Sequence, residues 1–215
     1  MLQNQDLPTI LISVPVILIS LMLHEIAHGY TAYKLGDITA KKDGRLSLNP
    51  LRHIDPIGFI MLLILHIGWA RPVRINPYNL KDPKKDMAVI SLAGPIMNFV
   101  LSILFFIPLY IYTDGFHTAD LSNYTVLFFY IGMTLNLSLA VFNILPLPPL
   151  DGSKVFGSLF PDRIYAKIVM FNPNISMGIL ILLSFTNILS NILSPMINSV
   201  FHLYLFLADY ISGLL

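Results

Sequence analysis

One short stretch of the chain, SLMLHEIAHG at residues 20–29, combines residue types that could bind a metal ion and activate water. His24 and His28 are four residues apart, so on a helix they lie one turn apart on the same face. Two imidazoles at this spacing can bind one metal ion, and Glu25 could take a proton from metal-bound water. Glu25 is the only glutamate among the 215 residues. The alternative is a pair of structural histidines beside a neutral glutamate, but ionisable groups inside a membrane segment are costly and usually mark a functional site.

A catalytic zinc site usually has three protein ligands, so a third ligand must come from elsewhere in the chain. Asp151 is the strongest candidate, because it follows three prolines in NILPLPPLDG (143–152) that must end the preceding helix. Backbone that is broken at membrane depth is tolerated only where it is buried in protein or lines a cavity. Four further histidines have a suitable side chain but are more typical of surface or interface positions: His53, His66, His117 and His202.

The composition indicates an integral membrane protein. Apolar residues make up 55% of the chain, charged residues 12%, and the mean hydropathy is +0.72, whereas about a quarter of the residues of a soluble domain are charged. Zero cysteines exclude disulfides and thiolate metal sites, and a net charge of +1 argues against nucleic acid as a partner. The N-terminus lacks the basic region and cleavage site of a secretory signal, so we keep the first apolar run in the mature protein.

The apolar stretches predict an all-α polytopic membrane protein of five to six transmembrane helices. A span needs about 20 apolar residues. We expect a single domain over residues 1–215, with a catalytic core at about 8–160. A C-terminal helical hairpin is expected at about 175–215, broken near NILSPMIN (191–198). The stretches lie at about 8–33, 57–69, 87–112, 121–145, 175–193 and 196–215.

The positive charges predict the topology. All 13 Lys and Arg lie between Lys34 and Lys167 in three clusters, which the positive-inside rule places in the cytoplasm. Residues 57–69 would then enter and leave the membrane by the same face, and the alternative is a short, tilted span. The flanking segments 44–50 and 71–77 alternate polar and apolar residues and end in Asn-Pro. They predict a small β-ribbon at the cytoplasmic surface, whose edge could accept an extended peptide.

Three motifs in this order, HEIAHG (24–29), GPIMN (94–98) and NILPLPPLDG (143–152), resemble the site-2 protease family of intramembrane zinc metalloproteases. GWARPVRINP (68–77) is similar to the short bacterial and archaeal members that lack a PDZ domain. The resemblance implies an enzyme that cleaves membrane-protein substrates in or near their transmembrane segments, as in regulated intramembrane proteolysis. It also implies a bacterial or archaeal cell membrane. The positive clusters, together with the position of His28 near the cytoplasmic end of its helix, predict an active site toward the cytoplasm.

The resemblance also assigns roles to individual residues. It implies that one Zn²⁺ per chain is bound by His24, His28 and Asp151, and that Glu25 is the general base. It further implies that Asn143 supports the tetrahedral intermediate or positions the substrate, for which the alternative is an interhelical hydrogen bond.

The GPIMN motif predicts close helix packing. Gly94 lets two helices approach, and Pro95 frees a backbone carbonyl that needs another partner. We expect this helix to pack against the helix that carries His24, with Asn98 in a supporting or structural role.

Two other classes of protein remain open. A divalent-metal transporter would need more carboxylates within the membrane than this chain carries. A non-catalytic scaffold is disfavoured because all four catalytic-type residues are present. If the chain is a peptidase, we expect substrate to enter laterally between the first helix and the C-terminal hairpin.

Overall fold

The computed structural model describes residues 7–55, 58, 71–184 and 186–213. Within these residues the regular structure is helical, which confirms the all-α class. The prediction that 57–69 re-enters the membrane, and His66 with it, falls outside the described residues. In chain order the helices are α1 (Leu7–Lys34), α2 (Thr39–Lys42), α3 (Pro83–Tyr112), α4 (Tyr124–Asn143), α5 (Asp151–Gly157), α6 (Asp162–Val169), α7 (Pro173–Ser184) and α8 (Ile188–Ser212).

Four of these helices, α1 from Pro8 onward, α3, α4 and α8, are long and apolar enough to cross a membrane. The pair α6 and α7, bent by 72°, adds a fifth if it is counted as one broken span. The chain is therefore an integral membrane protein, and the four or five candidate spans found among its described residues are close to the predicted five to six.

The predicted break of the C-terminal segment near 191–198 is wrong. Helix α8 continues through Pro195, which a membrane helix tolerates because neighbouring groups can satisfy the backbone that a proline frees. The interruption lies earlier, between Ser184 and Ile188, where the backbone N–H of Ile188 donates to Thr186 Oγ1 at 3.3 Å.

The predicted β-ribbon is also wrong, since neither 44–50 nor 71–77 forms a strand. Backbone groups that would pair with each other in a β-ladder are hydrogen-bonded to side chains instead. The buried Arg45 guanidinium donates to the carbonyl oxygens of Arg52, Arg71 and Pro72. The edge for strand addition to a substrate is therefore not formed.

Residues 71–79, which we call the strap, are held mainly by carboxylates from α1 and the turn that follows it. The N–H of Val73 donates to Glu25 Oε2 at 2.8 Å, and the N–H of Asn76 donates to Asp37 Oδ2 at 2.7 Å. The Asn-Pro turn signals are confirmed: Asn49 and Asn76 each cap a short 3₁₀ turn, at Pro50–Arg52 and Pro77–Asn79.

Helix α3 lies at the centre of the fold and packs against α1, α4 and α5. It begins where the Asp82 side chain accepts the N–H of Lys85, and Pro83 occupies the first helical position. Near its other end, Phe106 and Leu109 form an apolar core with Tyr204 of α8. Between these two ends, the buried Asn98 of α3 is hydrogen-bonded to His24 of α1 and to Asn136 of α4.

Candidate metal centre

Three side chains from two distant parts of the sequence converge in the buried interior. Nε2 of His24 lies 3.0 Å from Nε2 of His28, and each nitrogen lies 3.2 Å from Oδ2 of Asp151. These residues form the one group in the described part of the chain whose donor atoms could hold a metal ion together. The structure thus brings together the three residues predicted as ligands.

The local backbone explains how Asp151 reaches the two histidines. Helix α4 ends at Asn143 ahead of Pro146, Pro148 and Pro149, and Asp151 is the first residue of α5. The next residue, Gly152, lies so close to the end of α4 that an added Cβ would stand 2.1 Å from the carbonyl oxygen of Ile144. The absence of a side chain at Gly152 therefore allows α5 to begin against the last turn before the prolines.

The second nitrogen of each imidazole is hydrogen-bonded to α3. Nδ1 of His28 lies 2.7 Å from the carbonyl oxygen of Ile90, and Nδ1 of His24 lies 2.5 Å from Oδ1 of Asn98. A backbone carbonyl can only accept, so Nδ1 of His28 carries the proton. Its Nε2, which faces Asp151, then presents a lone pair when the ring is neutral.

A chain of hydrogen bonds also determines which nitrogen of His24 carries the proton. The Asn136 amide nitrogen donates to the Gly132 carbonyl at 2.8 Å and to the Ser20 hydroxyl at 2.9 Å. Because a carbonyl only accepts, Oδ1 of Asn136 must face Asn98, whose amide nitrogen donates to it at 2.9 Å. Oδ1 of Asn98 is then left for His24, so Nδ1 of His24 is the donor. This polar chain, Ser20–Asn136–Asn98, directs the Nε2 lone pair of His24 toward Asp151.

The donor set fits zinc. Two imidazole lone pairs and a carboxylate oxygen this close repel one another unless a proton or a metal ion lies among them. Ligands about 2.0 Å from a tetrahedral zinc ion are separated by about 3.3 Å, which is close to the three distances observed here. Asp151 is buried beside both imidazoles, and its carboxylate is an oxygen ligand that zinc accepts.

Gly94 leaves the space beside the imidazoles open. A Cβ at this position would lie 2.4 Å from Nε2 of His28 and 2.6 Å from Nε2 of His24. The predicted close packing of the Gly94 helix against the histidine helix is therefore present. Its effect is to keep a methyl group away from the atoms that would bind the metal.

Glu25 lies between the two histidines in the sequence and points to the strap. Its Oε2 accepts the N–H of Val73, while its Oε1 accepts no hydrogen bond from the described residues. One carboxylate oxygen is therefore anchored, and the other is available to a water molecule or a substrate.

The other candidate residues in the described part of the chain have different surroundings. Asn143 is half-buried at the end of α4, and its amide donates to the Leu139 carbonyl at 3.0 Å. His53 donates through Nε2 to the Ser47 carbonyl. His117 lies in the loop between α3 and α4, and His202 is exposed on α8. None of these three histidines belongs to the group of described residues that could share a metal ion.

Comparison with known proteins decides the family. The sequence model of peptidase family M50 matches residues 108–185. YwhC from Bacillus subtilis (strain 168), a zinc metalloprotease by name, is 40% identical over 185 residues, which cover 85% of this chain and 84% of YwhC. The chain belongs to peptidase family M50. The predicted site-2 protease family and the predicted class, a zinc-dependent metalloprotease, are thereby confirmed.

Other similar proteins, also zinc metalloproteases by name, match over less of their own length. Rip2 from Mycolicibacterium smegmatis is 34% identical over 150 residues, which cover 67% of this chain and 54% of Rip2. MJ0392 from Methanocaldococcus jannaschii is 25% identical over 173 residues, which cover 80% of this chain and 41% of MJ0392. The chain thus spans about half of Rip2 and less than half of MJ0392. No solved structure matches the chain.

Sequence reasoning missed Ser20 and Asn136. Both are polar residues within apolar spans, and that alone could have marked them, since polar groups in a membrane helix need partners. Both are fully buried in the structure.

Proposed function

We propose that this M50 peptidase is an intramembrane endopeptidase that hydrolyses peptide bonds in or near the transmembrane segments of membrane proteins. We further propose that residues 1–215 act as a single domain and that His24, His28 and Asp151 hold one zinc ion. The observation that carries the proposal is the convergence of these three donor atoms. Two of them belong to α1, which also carries Glu25 and is long and apolar enough to cross the bilayer.

The metal ion and each of its three proposed ligands have a separate role. When bound, zinc supplies a Lewis acid that acidifies water and polarises a peptide carbonyl. The two histidines present their Nε2 lone pairs because α3 occupies both Nδ1 protons. Asp151 contributes the negative charge that balances part of the charge of the cation.

Glu25 acts as general base and then as general acid. Its Oε1 takes a proton from the attacking water and later gives that proton to the leaving amine. The hydrogen bond from Val73 holds the other oxygen, so the carboxylate does not need to reorganise before it reacts.

Asn143 is proposed to donate its amide to the developing oxyanion or to the substrate. The amide nitrogen carries two N–H groups, and one of them donates to the Leu139 carbonyl. The second N–H is the donor that the proposal assigns to the oxyanion or the substrate.

The active site is proposed to open toward the cytoplasm. His28 lies six residues before the end of α1 at Lys34, or about 9 Å along a helix axis. The strap and its arginines lie at that end of α1, and a surplus of positive charge marks the cytoplasmic side.

The test uses the purified chain in nanodiscs with a peptide that contains one transmembrane helix. We expect one zinc per chain and cleavage of the peptide. Glu25→Gln should retain zinc and lose cleavage by about 10²–10⁴-fold, and Asp151→Ala should lose both. Asp162→Asn, an exposed carboxylate on α6, serves as the control and should change neither.

Cleavage that survives in Glu25→Gln would overturn the role of this residue. Zinc flux into vesicles without any cleavage would instead favour a transporter. Zinc bound without cleavage or flux would favour a scaffold.

A further inference from the structure

The arginines of this chain are concentrated in one place. Four of its five arginines line a single cleft of about 580 Å³, and none of its eight lysines is among the described residues that line it. We call this the arginine cleft; its lining residues are Asp43, Arg45, Leu51, Arg52, Arg71, Pro72 and Arg74. General attraction to the membrane surface would be served by lysine as well as by arginine. A preference for arginine points instead to planar, paired hydrogen bonds, as made to a phosphate or carboxylate.

The four arginines of the cleft carry more positive charge than the one carboxylate in its lining, that of Asp43, can neutralise. Asp43 forms an ion pair with Arg74 at 3.0 Å, and Arg52 donates to the Gly44 carbonyl at 3.0 Å. The guanidinium of Arg71 has no acceptor among the described residues. Burial and repulsion from Arg71 lower the pKa of Arg45. A bound anion would relieve this repulsion.

The surroundings of the cleft indicate a lipid headgroup as the source of the anion. Leu46 and Val73, from the two segments that form the cleft, lie beside Gly29 of α1. Gly29 is five residues, or about 8 Å, from the end of that membrane helix. Leu48 and Leu51 are 72% and 75% exposed. Exposed leucines next to arginines suit the boundary between acyl chains and headgroups.

We propose that the arginine cleft binds the phosphate of an anionic phospholipid headgroup, with Leu48 and Leu51 against its acyl region. Arg71, Arg74 and Arg52 would donate to the phosphate oxygens. Arg45 forms the floor of the cleft, where it is occupied by backbone carbonyls.

Headgroup binding is coupled to the metal centre through the strap. The carbonyls of Arg71 and Pro72 accept from Arg45, and the next N–H, that of Val73, donates to Glu25. A phosphate that fixes Arg71 therefore stabilises the backbone that holds Glu25. This coupling rests on the proposed function, but binding of the lipid does not.

The experiment measures binding of short-chain phosphatidylglycerol to the purified full chain in nonionic detergent. Amide hydrogen exchange of the strap is followed in parallel. We expect saturable binding and slower exchange at Val73 in the complex. Arg71→Gln should weaken binding about tenfold, as expected when a charge-assisted hydrogen bond is lost. Lys42→Gln removes the same charge from an exposed position outside the cleft, and it should bind as the unmodified chain does.

Two further arms identify the source of the phosphate. Short-chain phosphatidylcholine should bind more weakly than phosphatidylglycerol, and glycerol phosphate should compete only at far higher concentration. Equal affinity for glycerol phosphate would overturn a lipid in favour of a soluble phosphate. Equal weakening by Arg71→Gln and Lys42→Gln, or no saturable binding, would overturn the site altogether. Zinc content and cleavage are measured separately, so an inactive chain that still binds the lipid contradicts only the proposed function.

Discussion

The side-chain amide of Asn98 donates to the side-chain oxygen of Asn136 across 2.9 Å, and both residues are fully buried between α3 and α4. Neither residue is near enough in sequence to the histidines to be chosen by spacing. Their pairing nevertheless determines which nitrogen of His24 carries the proton, because each amide can be oriented in only one way. Groups that orient a metal-binding histidine contribute substantially to metal affinity.

Replacing Asn98 by leucine should weaken zinc binding about 10–100-fold, since Nδ1 of His24 then loses its acceptor. Zinc affinity is measured by competition with a chelator, and the absorption spectrum of the cobalt-substituted protein reports the ligand geometry. Asn198→Leu makes the same change at an exposed position of α8 and should leave both unchanged.

Substitutions at different members of the polar chain should weaken zinc binding to different degrees. Ser20→Ala should have a smaller effect than Asn98→Leu, because the Gly132 carbonyl still orients Asn136. Equal zinc affinity in Asn98→Leu and Asn198→Leu would show that the polar chain only joins the helices.

The ligands could be predicted from the sequence because their placement is local. Helical spacing alone puts His24 and His28 on one face, and prolines alone end α4 before Asp151. The polar chain could not be predicted in the same way. Whether Ser20, Asn98 and Asn136 meet depends on how three helices are rotated and shifted against one another, which no local pattern records.

For the strap, a local sequence pattern led to a wrong prediction. Alternation of polar and apolar residues at 71–77 predicted a strand, but the pattern does not reveal where backbone donors go. In the structure, Glu25 and Asp37 accept two of them, so the segment is held in an extended course without a neighbouring strand. Hydrogen bonds to the carboxylates of Glu25 and Asp37 replace those of a β-ladder.

Gly94→Ala should abolish zinc binding with little loss of helix stability. The added methyl group would meet both Nε2 atoms at well below van der Waals distance, while alanine is the better helix former by about 1 kcal/mol. Gly178→Ala on α7 is the matched control, since nothing lies within 4 Å of the added Cβ. Zinc content and thermal unfolding distinguish the two effects. Full zinc occupancy in Gly94→Ala would contradict the described geometry.

Asp37→Asn should release the strap and remove part of the pH dependence of stability. Burial raises the pKa of Asp37, but hydrogen bonds from Thr39, Asn79 and Asn76 lower it by more. With a folded-state pKa below the unfolded value of about 3.9, the carboxylate stabilises the fold above that pH. This stabilisation is lost as the pH falls through the lower, folded-state value.

Thermal unfolding in detergent from neutral to acidic pH tests this prediction. The variant should be less stable by about 1–3 kcal/mol at neutral pH, where an amide donor would face the N–H of Asn76, and the difference should shrink in acid. Asp162→Asn, on an exposed side chain, should unfold as the unmodified chain does. A difference that stays constant down to the lowest pH would mean that Asp37 is not the titrating group.

Gly152→Ala should displace Asp151 from the histidines although it adds only a methyl group to the next residue. Its Cβ would stand 2.1 Å from the Ile144 carbonyl oxygen, and backbone at that point cannot move without shifting the start of α5. Gly157→Ala, in the same short helix, places its Cβ at ordinary contact distances of 3.4 Å and beyond. We therefore expect Gly152→Ala to lose zinc while Gly157→Ala retains it. Because both variants replace a glycine of α5 by alanine, loss of zinc in both would trace the effect to that helix rather than to its contact with the end of α4.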